Sequence, residues 1–235
     1  MDPDLVAMHM SDGIVNAPTA LIFGVIAVLG LAVCVSKARG DLDDRTAPMA
    51  GLVAAFVFAV QMLNFPVLPG VSGHLLGGAL VAILVGPWVG ALCVAIVLVL
   101  QSLLFADGGL SALGTNITNM ALIGTFVGFG VAVVMRRIAR RGRGGLLVTA
   151  FVAAFVNTVV ASMGFVLEYA IGGEGLALGT VFGLMVGLHT LIGIGEGVIT
   201  ALTVGAVAAV RPDLIYLLRS ERPDLTLRTA QGATS

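Results

Sequence analysis

Charge is scarce in this chain. Of 235 residues, 12 are basic and 13 acidic, 11% in all, against roughly a quarter in a soluble domain. Lysine is nearly missing, with Lys37 alone. Aromatics make up only 6%, so the apolarity comes from aliphatic residues and from 32 glycines. That excess excludes a disordered chain, and a soluble core could not hide so much aliphatic surface. The two cysteines, Cys34 and Cys93, both lie inside apolar runs, where they read as small buried hydrophobes rather than a disulfide or a metal pair. A nucleotide-binding P-loop is missing as well, because it needs a Lys after its glycines and Lys37 stands in Val-Ser-Lys-Ala-Arg-Gly. Nothing basic opens the first 16 residues, which carry Asp2, Asp4 and Asp12 and so lack the start of a signal peptide.

What remains is 58% hydrophobic and continuous. Continuous apolar runs mean helices rather than alternating barrel strands. The runs fall at about 17–36, 47–64, 74–86, 88–105, 117–135, 146–171 and 178–210. The stretch 74–105 would make one helix of about 48 Å, against a hydrocarbon core of about 30 Å, and Gly86-Pro87 offers a break inside it. Charge placement supports that break. Lys37, Arg39 and Arg45 follow the first run, Arg136 to Arg143 the fifth, and Arg211, Arg219, Arg222 and Arg228 the seventh. With the break, every basic residue falls on one side. The expectation is therefore an all-α, polytopic membrane protein of about seven transmembrane helices, amino terminus outside and carboxyl terminus cytoplasmic. The outer side then holds Asp2, Asp4, Asp12, Asp107 and Glu174 and no basic residue. Such a rim concentrates cations; it is equally what outer loops poor in Lys and Arg give. The pairs Gly124/Gly128 and Gly183/Gly187 have the spacing that lets helices approach closely. Residues 211–235 read as a polar cytoplasmic tail.

Three histidines could carry chemistry. His9 lies in the outer amino-terminal segment and His74 just after the outer loop 65–73, so topology puts both on one side. Imidazole suits Ni, Co, Cu and Zn. His189 and Glu196 stand seven residues apart on one face of the last run, at a depth where ionisable groups face the bundle interior. A structural network with Gln101, Asn119 or Asn157 is the expectation for them. A reading of a different class is a rhomboid-like intramembrane serine protease, with Ser72 of Gly70-Val71-Ser72-Gly73 as nucleophile and His189 as base. Depth counts against it: His189 sits about 16 Å below the outer edge where Ser72 is placed. A solitary ion channel is disfavoured because no repeated charged rings mark a pore.

The motifs Met8-His9-Met10-Ser11-Asp12-Gly13, Gln61-Met62-Leu63-Asn64-Phe65-Pro66, Ser72-Gly73-His74-Leu75-Leu76-Gly77-Gly78, Phe105-Ala106-Asp107-Gly108-Gly109-Leu110, Asn116-Ile117-Thr118-Asn119-Met120 and His189 through Glu196 resemble the CbiM/NikM family. These are the cobalt- or nickel-specific membrane subunits, or S-components, of energy-coupling-factor ABC transporters. The resemblance runs from Met8 to about Arg211. It implies capture of Co²⁺ from outside the cell for ATP-driven uptake, feeding cobalamin biosynthesis, with Ni²⁺ uptake for nickel enzymes as the alternative. It implies no catalytic residue and no permanently bound cofactor. The partners it implies are the lipid bilayer, a transmembrane coupling subunit, two ATPase subunits and a small accessory membrane subunit in a bacterial inner membrane, with no nucleic acid. Carried over residue by residue, the metal ligands are the Met8 amine, the His9 amide nitrogen and imidazole, and His74. Amine, next amide and imidazole close fused chelate rings, and four nitrogens in a plane suit Ni²⁺ or Cu²⁺ and low-spin Co²⁺. A free amine at Met8 needs a chain that starts there. Residues 1–7 are accordingly expected to be a non-native or mis-assigned extension, 8–210 the transmembrane metal-binding domain and 211–235 the tail.

Overall fold

The structure is a computed structural model and describes residues 9–44, 46–68, 71–139 and 142–221. Seven helices occupy the seven apolar runs: α1 (Ala17–Ala38), α2 (Thr46–Gln61), α3 (Gly78–Val85), α4 (Pro87–Phe105), α5 (Leu113–Ile138), α6 (Arg143–Gly172) and α7 (Leu178–Val210). A two-stranded antiparallel hairpin, β1 (Asn64–Leu68) and β2 (Val71–His74), lies between α2 and α3. Five helices, α1 and α4 to α7, are long and apolar enough to cross a membrane, and α2 is shorter. Their outward faces carry bare Leu, Ile and Val. On α1, Leu21 is 70% and Val28 67% exposed, while only Thr19, Ala27, Cys34 and Ala38 are buried. That is how a lipid-facing helix looks when its contacts to the bundle form one narrow stripe.

The third run departs from expectation. It is helical only over eight residues, about 12 Å of rise, too short to cross a bilayer core alone. Every residue of α3 is buried. The non-helical stretch that leads into it is walled in by protein, as irregular backbone at membrane depth must be. The break at Gly86-Pro87 is where the sequence places it: Gly86 takes φ 91° and ψ 161°, a region essentially open to Gly alone, and Pro87 starts α4.

Contacts sort the loops into two ends. Tyr216 faces Gly86 and its hydroxyl donates to Asp41, while Arg219 donates to Thr46. The start of α6 meets the end of α7 through Leu147 and Gly205. The basic loops therefore share one end. At the other end Asn16 N–H donates to the Gly172 carbonyl at 2.7 Å, and residues 107–116 lie against the amino-terminal segment. The tail does not simply extend away. Turns at Pro212–Leu214 and Tyr216–Glu221 fold back and bury Ile215 and Leu217. Of the two small-residue pairs, Gly124 and Gly128 do pack, with Gly128 against Ala79 of α3, whereas Gly183 and Gly187 meet nothing. Both cysteines are free and buried.

Candidate metal centre

Segment 9–12 is clamped from below by the loop that precedes α5. The Asn116 amide accepts from Met10 N–H and donates to the Met10 carbonyl, both at 3.1 Å, and Gly109 N–H donates to the same carbonyl. The Asp12 carboxylate accepts from the backbone N–H of Ser111 at 2.7 Å and from its hydroxyl. That hydroxyl, with backbone donors, holds the Asp12 carboxyl below its usual pKa. Gly108, at φ 86°, lies so close under His9 that a Cβ there would come within 2.8 Å of the His9 Cβ. The glycines of Asp107-Gly108-Gly109 are thus a seat for the histidine.

On this seat His9 is 3% exposed, and its ring centroid stands 4.6 Å from that of His74, which is equally buried. The two meet although 65 positions separate them in sequence, because the chain after β2 descends into the bundle. Glu196 holds that descent in place. Its carboxyl group accepts from Leu76 N–H at 2.7 Å, Gly77 N–H at 3.0 Å and Asn157 Nδ2 at 3.1 Å, and lies 2.9 Å from Thr158 Oγ1, whose hydroxyl also faces the Ala154 carbonyl. The start of α3 adds favourable dipoles to these contacts. Of the network partners expected for Glu196, Asn157 is present. Asn119 bonds Glu168 of α6 instead, at 2.6 Å, and the buried Gln101 amide has no hydrogen-bond partner among the described residues. Glu168 is wholly buried and was not singled out from the sequence.

His189 does not bond Glu196. Its Nδ1 donates to the Met185 carbonyl one turn back, at 2.7 Å. Its ring lines the same cavity as His9 and His74, a space of about 50 Å³ lined also by Met10, Met120, Phe165 and Met185. The sequence argument set His189 about 16 Å below the outer loop; the descending chain removes that separation for His74. Met8 and Gly70, and the side chain of Ser72, lie outside the described residues, as do Asp2, Asp4 and residues 222–235.

Proton placement follows from the partners. His9 Nδ1 stands 3.1 Å from Asp107 Oδ1, and a carboxylate only accepts. His74 Nδ1 faces the Leu75 carbonyl at 2.9 Å. The lone pair of each ring is therefore on Nε2, and His9 Nε2 is buried without a hydrogen-bond partner. Carboxylate or carbonyl on one nitrogen and an open lone pair on the other is the usual preparation of a metal-binding histidine. Among the described residues no three His, Cys, Asp or Glu side chains form a group that could hold a metal ion.

Five helices long and apolar enough to cross a membrane, with buried imidazoles around a small cavity, define a multi-pass membrane protein. The chain matches the CbiM family, described as the cobalt uptake substrate-specific transmembrane region, over residues 9–214, and it belongs to that family. It is 40% identical over 209 residues to a putative fused nickel transport protein NikMN of Archaeoglobus fulgidus, covering 88% of this chain and 68% of that one. It is 29% identical over 235 residues to a cobalt transport protein CbiM of Sorangium cellulosum, covering 97% and 100%. A crystal structure of a transition metal transporter superposes with TM-score 0.81 at 27% identity, over 92% of this chain and all of that one. The family is a transporter component rather than an enzyme family.

Proposed function

We propose that this protein captures Co²⁺ from outside a bacterial cell and presents it for ATP-driven uptake. In this reading the ion enters from the end that carries His9 and residues 107–116. The chain crosses the inner membrane seven times, the third crossing made by the descending segment plus α3. The basic end is cytoplasmic under the positive-inside rule. A transmembrane coupling subunit, two ATPase subunits and a small accessory membrane subunit complete the importer, and the cobalt serves cobalamin biosynthesis. Residues 8–210 form the metal-binding domain, with nitrogens of Met8, His9 and His74 as ligands. A chelate through the Met8 amine and the His9 amide uses His9 Nδ1, which must then leave Asp107.

The observation that carries the reading is the buried contact of His9 with His74, rings 4.6 Å apart. Ni²⁺ is the second reading, favoured by the relative named as a nickel transporter. Cells expressing the whole importer and given radioactive cobalt or nickel provide the test. His74→Ala is expected to abolish accumulation while the protein is still made, and Ser72→Ala to leave accumulation unchanged. Normal uptake by His74→Ala removes the site; loss of a proteolytic activity in Ser72→Ala restores the protease reading.

A further inference from the structure

We infer that Glu168 is a charge-compensating residue for the metal cavity: from behind Asn119 its carboxyl group supplies negative charge that favours a divalent cation there, without binding the metal itself. The inference rests on the proposed use of the cavity as the ion's site.

The position of Glu168 comes first. Ala161 and Phe165 of α6 line the cavity that His9 and His74 line. Glu168 stands seven residues after Ala161 and three after Phe165, on the same face of α6. Between its carboxyl group and the cavity lies Asn119 of α5, itself part of the cavity wall. Asn119 Nδ2 donates to Glu168 Oε2 at 2.6 Å. The amide is packed between that carboxyl group and α6, because a Cβ on Gly164 would collide with Asn119 Oδ1.

The cluster is also short of donors. Glu168 is wholly buried and Asn119 is 6% exposed. Among the described residues neither Glu168 Oε1 nor Asn119 Oδ1 has a hydrogen-bond partner, and none of the ion pairs found there includes Glu168. Glu196 differs: its oxygens are taken by Leu76 N–H, Gly77 N–H and Asn157 Nδ2, which account for it as a structural pin. A buried acid with one donor and no cation costs stability, and within a membrane span such a group marks a functional site. The wall of this cavity thus presents two unmet oxygens where a 2+ ion would rest among nitrogen donors. In a low-dielectric interior, negative charge at that position attracts the ion far more strongly than it would in water. Asp107 brings a carboxyl group to the same cavity from the loop under His9; Glu168 brings one from the helix wall. Neither oxygen of Glu168 lines the cavity, so the carboxyl group acts through Asn119 and space rather than as a ligand.

Glu168→Gln tests this on the full-length protein, because it keeps the side-chain shape and an oxygen to accept from Asn119 while removing the charge. Co²⁺ affinity by calorimetry is expected to fall about tenfold or more, as for loss of an outer-shell partner. The visible spectrum of bound Co²⁺ is expected to stay that of the parent, and the metal-free protein to melt at the same temperature or higher. Asn119→Asp combined with Glu168→Gln exchanges the two ends of the same hydrogen bond and restores one negative charge; it is expected to regain most of the lost affinity with the parent spectrum. Parent-like affinity in Glu168→Gln overturns the inference. A clearly lower metal-free melt in Glu168→Gln makes the residue a structural strut and also overturns it, as does a double variant that stays weak or recovers only with a changed spectrum. His74→Ala is the separate control: binding that survives it overturns the proposed site itself, whereas binding lost in His74→Ala and kept in Glu168→Gln removes the role of Glu168 alone.

Discussion

Replacing Glu196 by Gln exchanges one oxygen for an NH₂ group and should disturb His74, two residues before the Leu76 that Glu196 holds. The Glu196 oxygens are paired differently: Oε1 accepts from Gly77 N–H and Asn157 Nδ2, while Oε2 accepts from Leu76 N–H and faces Thr158 Oγ1. Gln turns one oxygen into an NH₂ group. Whichever way it lies, a donor then points at a backbone N–H donor of Leu76 or Gly77. That orphans one buried backbone group, at about 1–3 kcal/mol, and loses one side-chain bond between helices, worth about 0.6 kcal/mol in a membrane protein. The sum is about 2–4 kcal/mol, concentrated on the two residues that follow His74 and Leu75. Metal affinity should fall about 10–100-fold, the range for disturbing the support of a ligand, and the melting temperature should drop. Thr158→Val removes one donor and orphans no backbone group, so its effect should be far smaller. Calorimetric titration with Co²⁺ and thermal melting of the purified variants test this. Glu196→Gln with affinity within about twofold of the parent and an unchanged melt refutes the reasoning.

Two further outcomes follow from the site. Ligand nitrogens must shed protons to bind, so retained metal should fall as the medium is acidified through the imidazole range, near pH 6.5 for an unperturbed ring. Asp12, whose carboxyl is held low by Ser111, stays ionised through that window: its clamp is present above the ordinary carboxyl pKa and is lost only as pH falls further. Retention that is flat between about pH 8 and pH 5 points to carboxylate ligands such as Asp12 and Asp107. For the amine, intact mass of the protein from its native host should show a chain beginning at Met8, and uptake by forms starting at Met1 and at Met8 should favour the shorter. A native chain that retains Asp2 and transports equally well removes the amine ligand and leaves imidazoles alone.

Periodicity and breakers located all seven helices, because apolar run length and the Gly86-Pro87 break are local properties. They could not locate the descent of residues 71–77, which depends on Glu196 reaching Leu76 and Gly77 across 120 and 119 positions. That one omission explains the misplaced depth of His74. Counted from the start of its own helix, His189 is deep; His74, counted from a loop, looked shallow. The two depths agree only once the loop is known to sink. His9 and His74 were legible as a pair from motif resemblance. For His189 the available signal was its seven-residue spacing to Glu196, which placed both on one face but did not show that His189 lines the cavity of His9 and His74.

The short helix α3 touches no lipid and ends on two fixed points. At one end Glu196 grips its lead-in, next to His74; at the other the Tyr216 ring presses on Gly86, where a Cβ would come within 2.8 Å of it. A packed helix about 12 Å long is stiff along its axis. It behaves as a push-rod in a sleeve. Whatever levers the Tyr216–Glu221 turn at the basic end displaces the near end of that rod, and the far end carries an imidazole of the metal cavity. The cavity wall that carries His74 is thereby mechanically tied to the opposite face, with no opening of the lipid-facing wall.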